Sequence, residues 1–107
     1  MKVYLAGPMR GIPRFNFPAF YKAAKKLRKQ GYTVFSPAEK VAESEILKMP
    51  SLQESVAFRR KVFAMDLAWI CKHAEAVALL PGWKKSKGAK AEKATAEALG
   101  IEVFYVK

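Results

Sequence analysis

The segment LLPGWKKSKGAKAEKATAEALG, residues 79–100, joins an apolar run to an alanine-rich helical pattern through a loop rich in lysine and glycine. A buried strand, a short polar loop and an amphipathic helix in this order are the repeating unit of a parallel α/β sheet. Gly100 follows the last periodic residue, where helices often end on a glycine. We therefore predict a strand over 74–81 and a helix from about Lys87 to Leu99.

The same alternation extends over the rest of the chain. Short apolar runs at 2–7, 32–37 and 101–107 predict three further strands, with helical patterns between them. The order β-α-β-α-β-α-β predicts an α/β fold with a parallel sheet of about four strands and helices on both faces. Right-handed crossovers make this a small doubly wound fold, Rossmann-like or flavodoxin-like. A length of 107 residues predicts one domain, 1–107.

Two further helices are predicted from their start and stop signals. Asn16 is a candidate N-cap for a helix from about Phe17 to Gln30. Ser51, with Glu54 three residues on, resembles a capping box and predicts a helix that runs to about Lys72. Apolar residues recur at helical spacing along both segments.

The charge balance is the strongest bulk signal. Twenty Lys and Arg against nine Asp and Glu give a formal net charge of +11, which attracts polyanions. Most of the lysines fall on the polar sides of predicted helices, where they also favour solubility. Nucleic acid is a less favoured partner, because the lysines are spread over several helices and no recognition motif is visible.

Cysteine content and hydropathy predict the cellular compartment of the protein and whether it associates with a membrane. Cys71 is the single cysteine, so there is no internal disulfide and a reducing, cytoplasmic setting is expected. The apolar runs are too short to cross a bilayer, and the N-terminal MKVYLAGP is too short to be a secretory signal. We therefore expect no association with a membrane.

The fold class predicts where a ligand would bind. In doubly wound sheets, ligands bind outside the carboxyl ends of the strands. The site should therefore be built from three segments, 6–16 after the first strand, 36–39 after the second and 81–92 after the third.

The motif Ser86-x-Gly88-x-x-x-Glu92 opens the last helix. Backbone N–H groups at a helix start are free, and the helix dipole favours an anion there. Ser86 adds a hydroxyl group and Gly88 allows close approach, so a phosphate cradle is predicted. The dipole should keep the pKa of Glu92 near its ordinary value, as a carboxylate nucleophile needs. Alternatively, Glu92 is a surface residue paired with the surrounding lysines, and the spacing alone does not decide.

The loop after the first strand, GPMRGIPR at 7–14, supplies a second candidate for phosphate binding. Arg10 is placed to hold a phosphate by two hydrogen bonds. Arg14 could take that role instead, and a solvated loop arginine is the alternative. With glycines only at 7 and 11, the loop matches neither the GxGxxG pattern nor a Walker loop, so an ATPase is not expected.

Asp66 and Tyr4 complete the candidates. Asp66 borders the apolar face of the predicted second helix, where a carboxylate is costly unless it is partnered or used. From pattern alone, a salt-bridged Asp, with Arg59 as a possible partner, or a merely peripheral Asp is favoured. Tyr4 is most simply a core residue, although it could hydrogen-bond a carboxylate at the site. With one His and one Cys there is no metal constellation, and we expect neither a metal nor a cofactor.

Together these residues resemble the nucleoside 2-deoxyribosyltransferase family. YLAGP at 4–8 resembles its first strand and turn, and Asp66 falls where the family has an Asp on the helix before strand three. Ser86-x-Gly88-x-x-x-Glu92-x-x-x-Ala96 resembles the signature around the nucleophilic glutamate. The layout also resembles a group of short phage and bacterial proteins of this superfamily.

Two details resemble one branch, the 2′-deoxynucleoside 5′-monophosphate N-glycosidases. Ser86 stands where other transferases of the family place an Asp that meets the sugar 5′-hydroxyl, and the nucleotide branch has a Ser that binds the 5′-phosphate. Gly7-Pro8-Met9-Arg10-Gly11 resembles the branch's Gly-x-x-Arg-Gly loop. The loop GWKKSKGAK, 82–90, departs from the family in being unusually cationic.

The resemblance implies a double displacement at the anomeric carbon of a nucleoside or nucleotide. Glu92 would attack, the base would leave, and water or a second base would accept the sugar. Asp66 would hold or protonate the leaving base, and Tyr4 would orient Glu92. A homodimer is implied as well. The residues assigned to the substrate and its phosphate are Gly7, Arg10, Gly11, Ser86 and Gly88.

Two other functions stay open beside this one. A non-catalytic domain of the same fold could use the cradle to bind a nucleotide or a nucleotide-derived signal. A basic nucleic-acid-binding domain would show a steep dependence on salt. Both alternatives predict that substitution of Glu92 leaves binding largely intact.

Overall fold

The sheet has four strands, all parallel, in the order β2-β1-β3-β4. The computed structural model describes residues 1–40 and 55–107. Each strand is shorter than the apolar run that predicts it, because the ends of these runs belong to the connecting loops. The predicted small doubly wound α/β fold is confirmed. The strands are β1 (Lys2–Ala6), β2 (Thr33–Phe35), β3 (Ala76–Leu79) and β4 (Glu102–Tyr105).

The described residues contain three α-helices, α1 (Phe17–Lys29), α2 (Val56–His73) and α3 (Lys87–Leu99). The bounds of α3 are those predicted. Asn16 is the N-cap residue of α1, as predicted, although its side chain makes no capping hydrogen bond. Its Nδ2 instead donates to the carbonyl of Pro8 at 2.7 Å, which ties the loop after β1 to the start of α1.

Helix α2 begins at Val56, later than the sequence predicted. The proposed capping box, Ser51 with Glu54, lies outside the described residues. Ser55 is the N-cap, and its Oγ accepts from the backbone N–H of Phe58 at 3.2 Å. None of the helices in the described part of the chain is both long and apolar enough to span a bilayer.

Alternate residues of β1 face opposite layers of the molecule. Val3 and Leu5 pack in one core cluster with residues of α1, whereas Tyr4 and Ala6 pack in the other with residues of α2 and α3. Helices therefore cover both faces of the sheet, as predicted. Because the strand order reverses between β1 and β3, a crevice forms at their carboxyl ends.

Candidate active site

A cavity of about 880 Å³ opens beside the carboxyl ends of β1 and β3, a volume typical of small-molecule sites. Parts of its wall come from the segments 6–16, 36–39 and 81–92 that the fold class singles out. Helix α2 forms a further part of the wall. Of its residues, the sequence analysis singled out Asp66 and its possible partner Arg59. The residues of α2 that line the cavity are Phe58, Arg59, Val62, Phe63 and Asp66.

Glu92 faces the interior of the protein. It shares one stripe of α3 with Ala89 and Ala96, at spacings of three and four residues, and all three are buried. The small alanines let the helix approach the sheet closely, and Glu92 keeps only 6% of its surface exposed. The alternative that Glu92 is a surface partner of the lysines is therefore wrong. Lys93 pairs with Glu97 instead, at 2.9 Å.

Tyr4 is the hydrogen-bond partner of Glu92. Its position on β1 points the side chain toward α2 and α3, where it is fully buried. The Tyr4 hydroxyl group donates to Oε2 of Glu92 at 2.5 Å. Tyr4 is thus both a core residue and a partner of a carboxyl group in the cavity.

The pKa of Glu92 is raised to about 8, chiefly by burial. The hydrogen bond from Tyr4 lowers this pKa, and the negative charge of Asp66 raises it further. The prediction that the helix dipole keeps the pKa near its ordinary value is wrong. The dipole acts mainly within the first turn of a helix, and Glu92 is the sixth residue of α3.

Asp66 is the second buried carboxyl group that lines the cavity, with 5% of its surface exposed. Its burial shows that Asp66 is not peripheral, and among the described residues its Oδ1 has no hydrogen-bond partner and no ion pair joins it to Arg59, so both alternative interpretations are wrong. Burial raises the pKa of Asp66 to about 6, and the Tyr4 hydroxyl group lowers it in part. Burial, followed by the charges of Glu92 and Asp66, also raises the pKa of Tyr4 well above its usual range, so the three groups are electrostatically linked.

The start of α3 forms the other side of the cavity. Ser86 is the N-cap, and its Oγ accepts from the backbone N–H of Ala89 at 3.1 Å, which leaves the hydroxyl hydrogen free to donate to a ligand. A Cβ added to Gly88 would meet nothing closer than Ser86 Oγ, at 3.9 Å. Gly88 therefore leaves open space beside the first turn of the helix.

The predicted residues of the loop after β1 separate into two groups. Gly7 and Arg10 line the cavity, whereas Gly11 and Arg14 do not. Packing explains the glycine at position 7, because a Cβ there would come within 2.7 Å of the Leu80 Cβ. Gly11 has a backbone φ of +83°, a left-handed conformation that favours glycine. The conformation of the turn therefore explains this glycine.

Several residues at the cavity were not predicted as part of the site. Phe58, Val62 and Phe63 form an apolar wall on α2, and their helical spacing together with Asp66 was the available signal. Trp83, in the loop before Ser86, does not line the cavity; its ring lies 5.9 Å from that of Tyr105. Basic residues at the cavity beyond Arg10 are Arg59, Lys85 and Lys87.

The chemistry of the cavity rests on two buried carboxyl groups with unequal pKa values. Such a pair can supply a proton donor and an ionised carboxylate in one site. A helix N-terminus beside them favours an anionic ligand. Within residues 1–40 and 55–107, no group of three or more His, Cys, Asp or Glu could hold a metal ion.

A family model described as "Domain of unknown function (DUF4406)" matches residues 1–105. The chain belongs to this family. The match covers the four strands of the sheet and the cavity residues described above. Comparison with the curated proteins and with the solved structures gives no significant match. The DUF4406 description names no activity, so the resemblance to deoxyribosyltransferases, the homodimer and the cytoplasmic setting stay predictions.

Proposed function

We propose that the protein is an N-glycosidase or deoxyribosyltransferase that acts on nucleoside 5′-monophosphates, with Glu92 as its nucleophile. The observation that carries this proposal is the buried pair of Tyr4 and Glu92 at a cavity that opens beside the start of α3. Burial of a carboxyl group is unfavourable for folding, and such groups with raised pKa values concentrate at functional sites.

The start of α3 suits the phosphate group of the substrate. Its free backbone N–H groups and dipole favour an anion. The hydroxyl group of Ser86 can donate a further hydrogen bond, and the open space at Gly88 admits a phosphate oxygen. Arg10, on the loop after β1, supplies a positive charge at the same cavity. An Asp in place of Ser86 would repel this group.

The two carboxyl groups have different roles in the reaction. In the first step, a carboxylate oxygen of Glu92 forms a bond to the anomeric carbon and the C–N bond to the base breaks. The electron pair of that bond goes to the base nitrogen, which takes the proton of Asp66. In the second step, water or the nitrogen of another base attacks the same carbon. Asp66 takes the proton of this nucleophile, and Glu92 leaves as a carboxylate.

The protonation state of the pair determines which form of the cavity can react. Between the pKa of Asp66, about 6, and that of Glu92, about 8, the two groups share one proton and one negative charge. The reactive form has the charge on Glu92 and the proton on Asp66, which is the minor form in the empty cavity because Glu92 has the higher pKa. The hydrogen bond from Tyr4 stabilises the ionised form of Glu92, which favours this arrangement.

The test is the release of free base from ribo- and deoxyribonucleosides and their 5′-monophosphates, followed by chromatography with and without a second base as acceptor. Wild type and the Glu97→Gln variant should release base, because Glu97 is an exposed residue of the same helix. The Glu92→Gln variant, of the same shape, should release none. Absence of release by wild type from the whole panel, or equal release by Glu92→Gln, contradicts the proposal.

One observation favours a second function, the binding of a nucleotide without catalysis. A pKa of about 8 leaves most of Glu92 protonated at neutral pH in the empty cavity, a state that cannot act as a nucleophile. A binding domain predicts that the Glu92→Gln variant keeps its affinity for a 5′-monophosphate in calorimetry, while wild type releases no base. Base release that depends on Glu92 rules this function out.

A further inference from the structure

The rim of the cavity carries several positive charges that come together from distant parts of the chain. They come from the loop after β1, from α2 and from the loop that leads into α3. All of these side chains are exposed, whereas the carboxyl groups of Asp66 and Glu92 are buried. The rim cations are Arg10, Arg59, Lys85 and Lys87.

Within residues 1–40 and 55–107, no ion pair neutralises a rim cation. The ion pairs found in the described residues are Arg28 with Glu39 and Lys93 with Glu97, and neither includes a rim cation. Among the described residues that line the cavity, the acidic ones are the two buried carboxyl groups. The rim therefore presents its charge to whatever occupies the cavity.

This charge exceeds what one phosphate group requires. A phosphate monoester carries about −1.5 to −2 near neutral pH. The start of α3 with Ser86, together with Arg10, already provides hydrogen bonds and charge for such a group. Arg59, Lys85 and Lys87 then have no anionic partner among the residues that the structure describes.

Solubility alone does not explain this arrangement. Helix α1 has the pattern expected of solubilising residues, because its basic side chains lie together on a single helix. The lysines that line the shallow depression there are Lys22, Lys25, Lys26 and Lys29. The rim cations instead come from three separate parts of the chain and meet at the cavity that also holds the two buried carboxyl groups.

We propose that the cavity takes a nucleotide with more than one phosphate group, and that Arg59, Lys85 and Lys87 bind the phosphate beyond the first. The inference rests on the proposed function and refines its substrate class. The additional phosphate could belong to a nucleoside di- or triphosphate or to the neighbouring nucleotide of a single strand of nucleic acid. Both sources present the same anionic group to the rim.

Binding measurements on the full chain test the inference. Calorimetry at one fixed salt concentration would compare a deoxynucleoside mono-, di- and triphosphate with a short single-stranded deoxyoligonucleotide. The double variant Arg59→Ala/Lys85→Ala removes two rim cations. The control Lys25→Ala/Lys29→Ala changes the net charge equally on exposed residues of α1. Circular dichroism of both variants verifies that they fold.

A ligand with an additional phosphate should bind wild type about tenfold more tightly than the monophosphate does, as expected for one added charge-assisted contact. The rim variant should lose that gain and keep most of its affinity for the monophosphate, and the control should match wild type. A gain for di- and triphosphates identifies a polyphosphate substrate. A gain for the oligonucleotide alone identifies nucleic acid, and its affinity should then fall steeply when the titration is repeated at higher salt.

Three results would overturn the inference. They are equal affinity of wild type for all four ligands, an equal loss of affinity in the rim variant and in the control, and no binding to any of the four ligands. The readout is affinity and not base release. Failure of the inference is therefore distinguishable from failure of the proposed function, because monophosphates could still lose their base in a cavity without a second phosphate site.

Discussion

The Tyr4 hydroxyl group donates a hydrogen bond to Glu92 across 88 residues of sequence, at 2.5 Å. The bond joins a central strand of the sheet to the helix that opens beside the cavity. It fixes the position of the carboxyl group and favours its ionised form. Asp66 is linked electrostatically to both residues, so a change at one of the three alters the proton affinity of the others.

The Tyr4→Phe substitution should raise the pKa of Glu92 above about 8, because the hydrogen bond that lowers this pKa is removed. Loss of a hydrogen bond to a charged group predicts a fall in base release at pH 7 of about 10- to 100-fold. The pH dependence of kcat/KM measures it, and the activity should recover in part at higher pH. Tyr105→Phe, at an exposed tyrosine, is the control. An unchanged profile in Tyr4→Phe would show that the bond has no part in the reaction.

Stability should fall as the pH rises from about 4.5 to about 8. Over this range the folded state holds a proton on Glu92 that the unfolded state has released, so the folded state binds more protons. Each pH unit in the window then lowers the free energy of unfolding by up to about 1.4 kcal/mol. The raised pKa of Asp66 lowers the stability in the same way as the pH rises from 3.8, its ordinary pKa, to about 6.

Urea denaturation across this pH range measures the effect, and Glu92→Gln should flatten the dependence because its amide does not titrate. The control Glu97→Gln should retain the dependence of wild type. A dependence that is the same in Glu92→Gln and in wild type would mean that Glu92 keeps an ordinary pKa in the folded protein.

The Ser86→Asp substitution should separate folding from phosphate recognition. Asp caps helices about as well as Ser and interacts favourably with the helix dipole, so thermal stability should change little. Its charge should repel a 5′-phosphate, and kcat/KM for monophosphates should fall by about tenfold or more while that for nucleosides falls less. Substrate competition between a monophosphate and its nucleoside measures the ratio. An unaltered ratio would remove Ser86 from the phosphate site.

The Gly88→Ala substitution should stabilise the protein and weaken binding. Alanine favours a helix over glycine by about 0.5–1 kcal/mol, and its Cβ meets no atom closer than 3.9 Å. The added methyl group takes up the open space at the start of α3 that the phosphate would use. Thermal unfolding and calorimetry with a monophosphate measure the two effects. Higher stability with unchanged affinity would place the phosphate elsewhere.

The fold could be predicted from the sequence because the patterns that indicate its strands and helices are local. The alternation of apolar runs and amphipathic helices determines the order of elements, and Ser86 and Gly100 mark the ends of α3 at close range. The start of α2 was misplaced, since more than one serine precedes it and the residue that caps it depends on the path of the preceding chain. Asn16 was placed correctly at the N-cap of α1, but its side chain donates to the carbonyl of Pro8 and makes no capping bond, a contact that no local pattern encodes.

The candidate site was predictable in position and less so in its electrostatics. Glu92 lies on a stripe of alanines, which a helical projection shows, but the depth of its burial depends on how closely α3 packs on the sheet. Asp66 was interpreted as salt-bridged or peripheral because it borders the apolar face of its helix, and only the packed structure shows that this position is buried. Both pKa shifts arise chiefly from burial, a tertiary property.

The covalent intermediate on Glu92 is the central claim, and trapping it is the most direct test. A 2′-fluoro nucleoside 5′-monophosphate would be the probe, because the electron-withdrawing fluorine disfavours the second displacement and lets the intermediate accumulate. Mass spectrometry of the acid-quenched protein should find one fluorinated sugar phosphate per chain, located on Glu92 after digestion and absent from Glu92→Gln. Base release without an adduct on Glu92, or an adduct that persists in Glu92→Gln, would contradict the account.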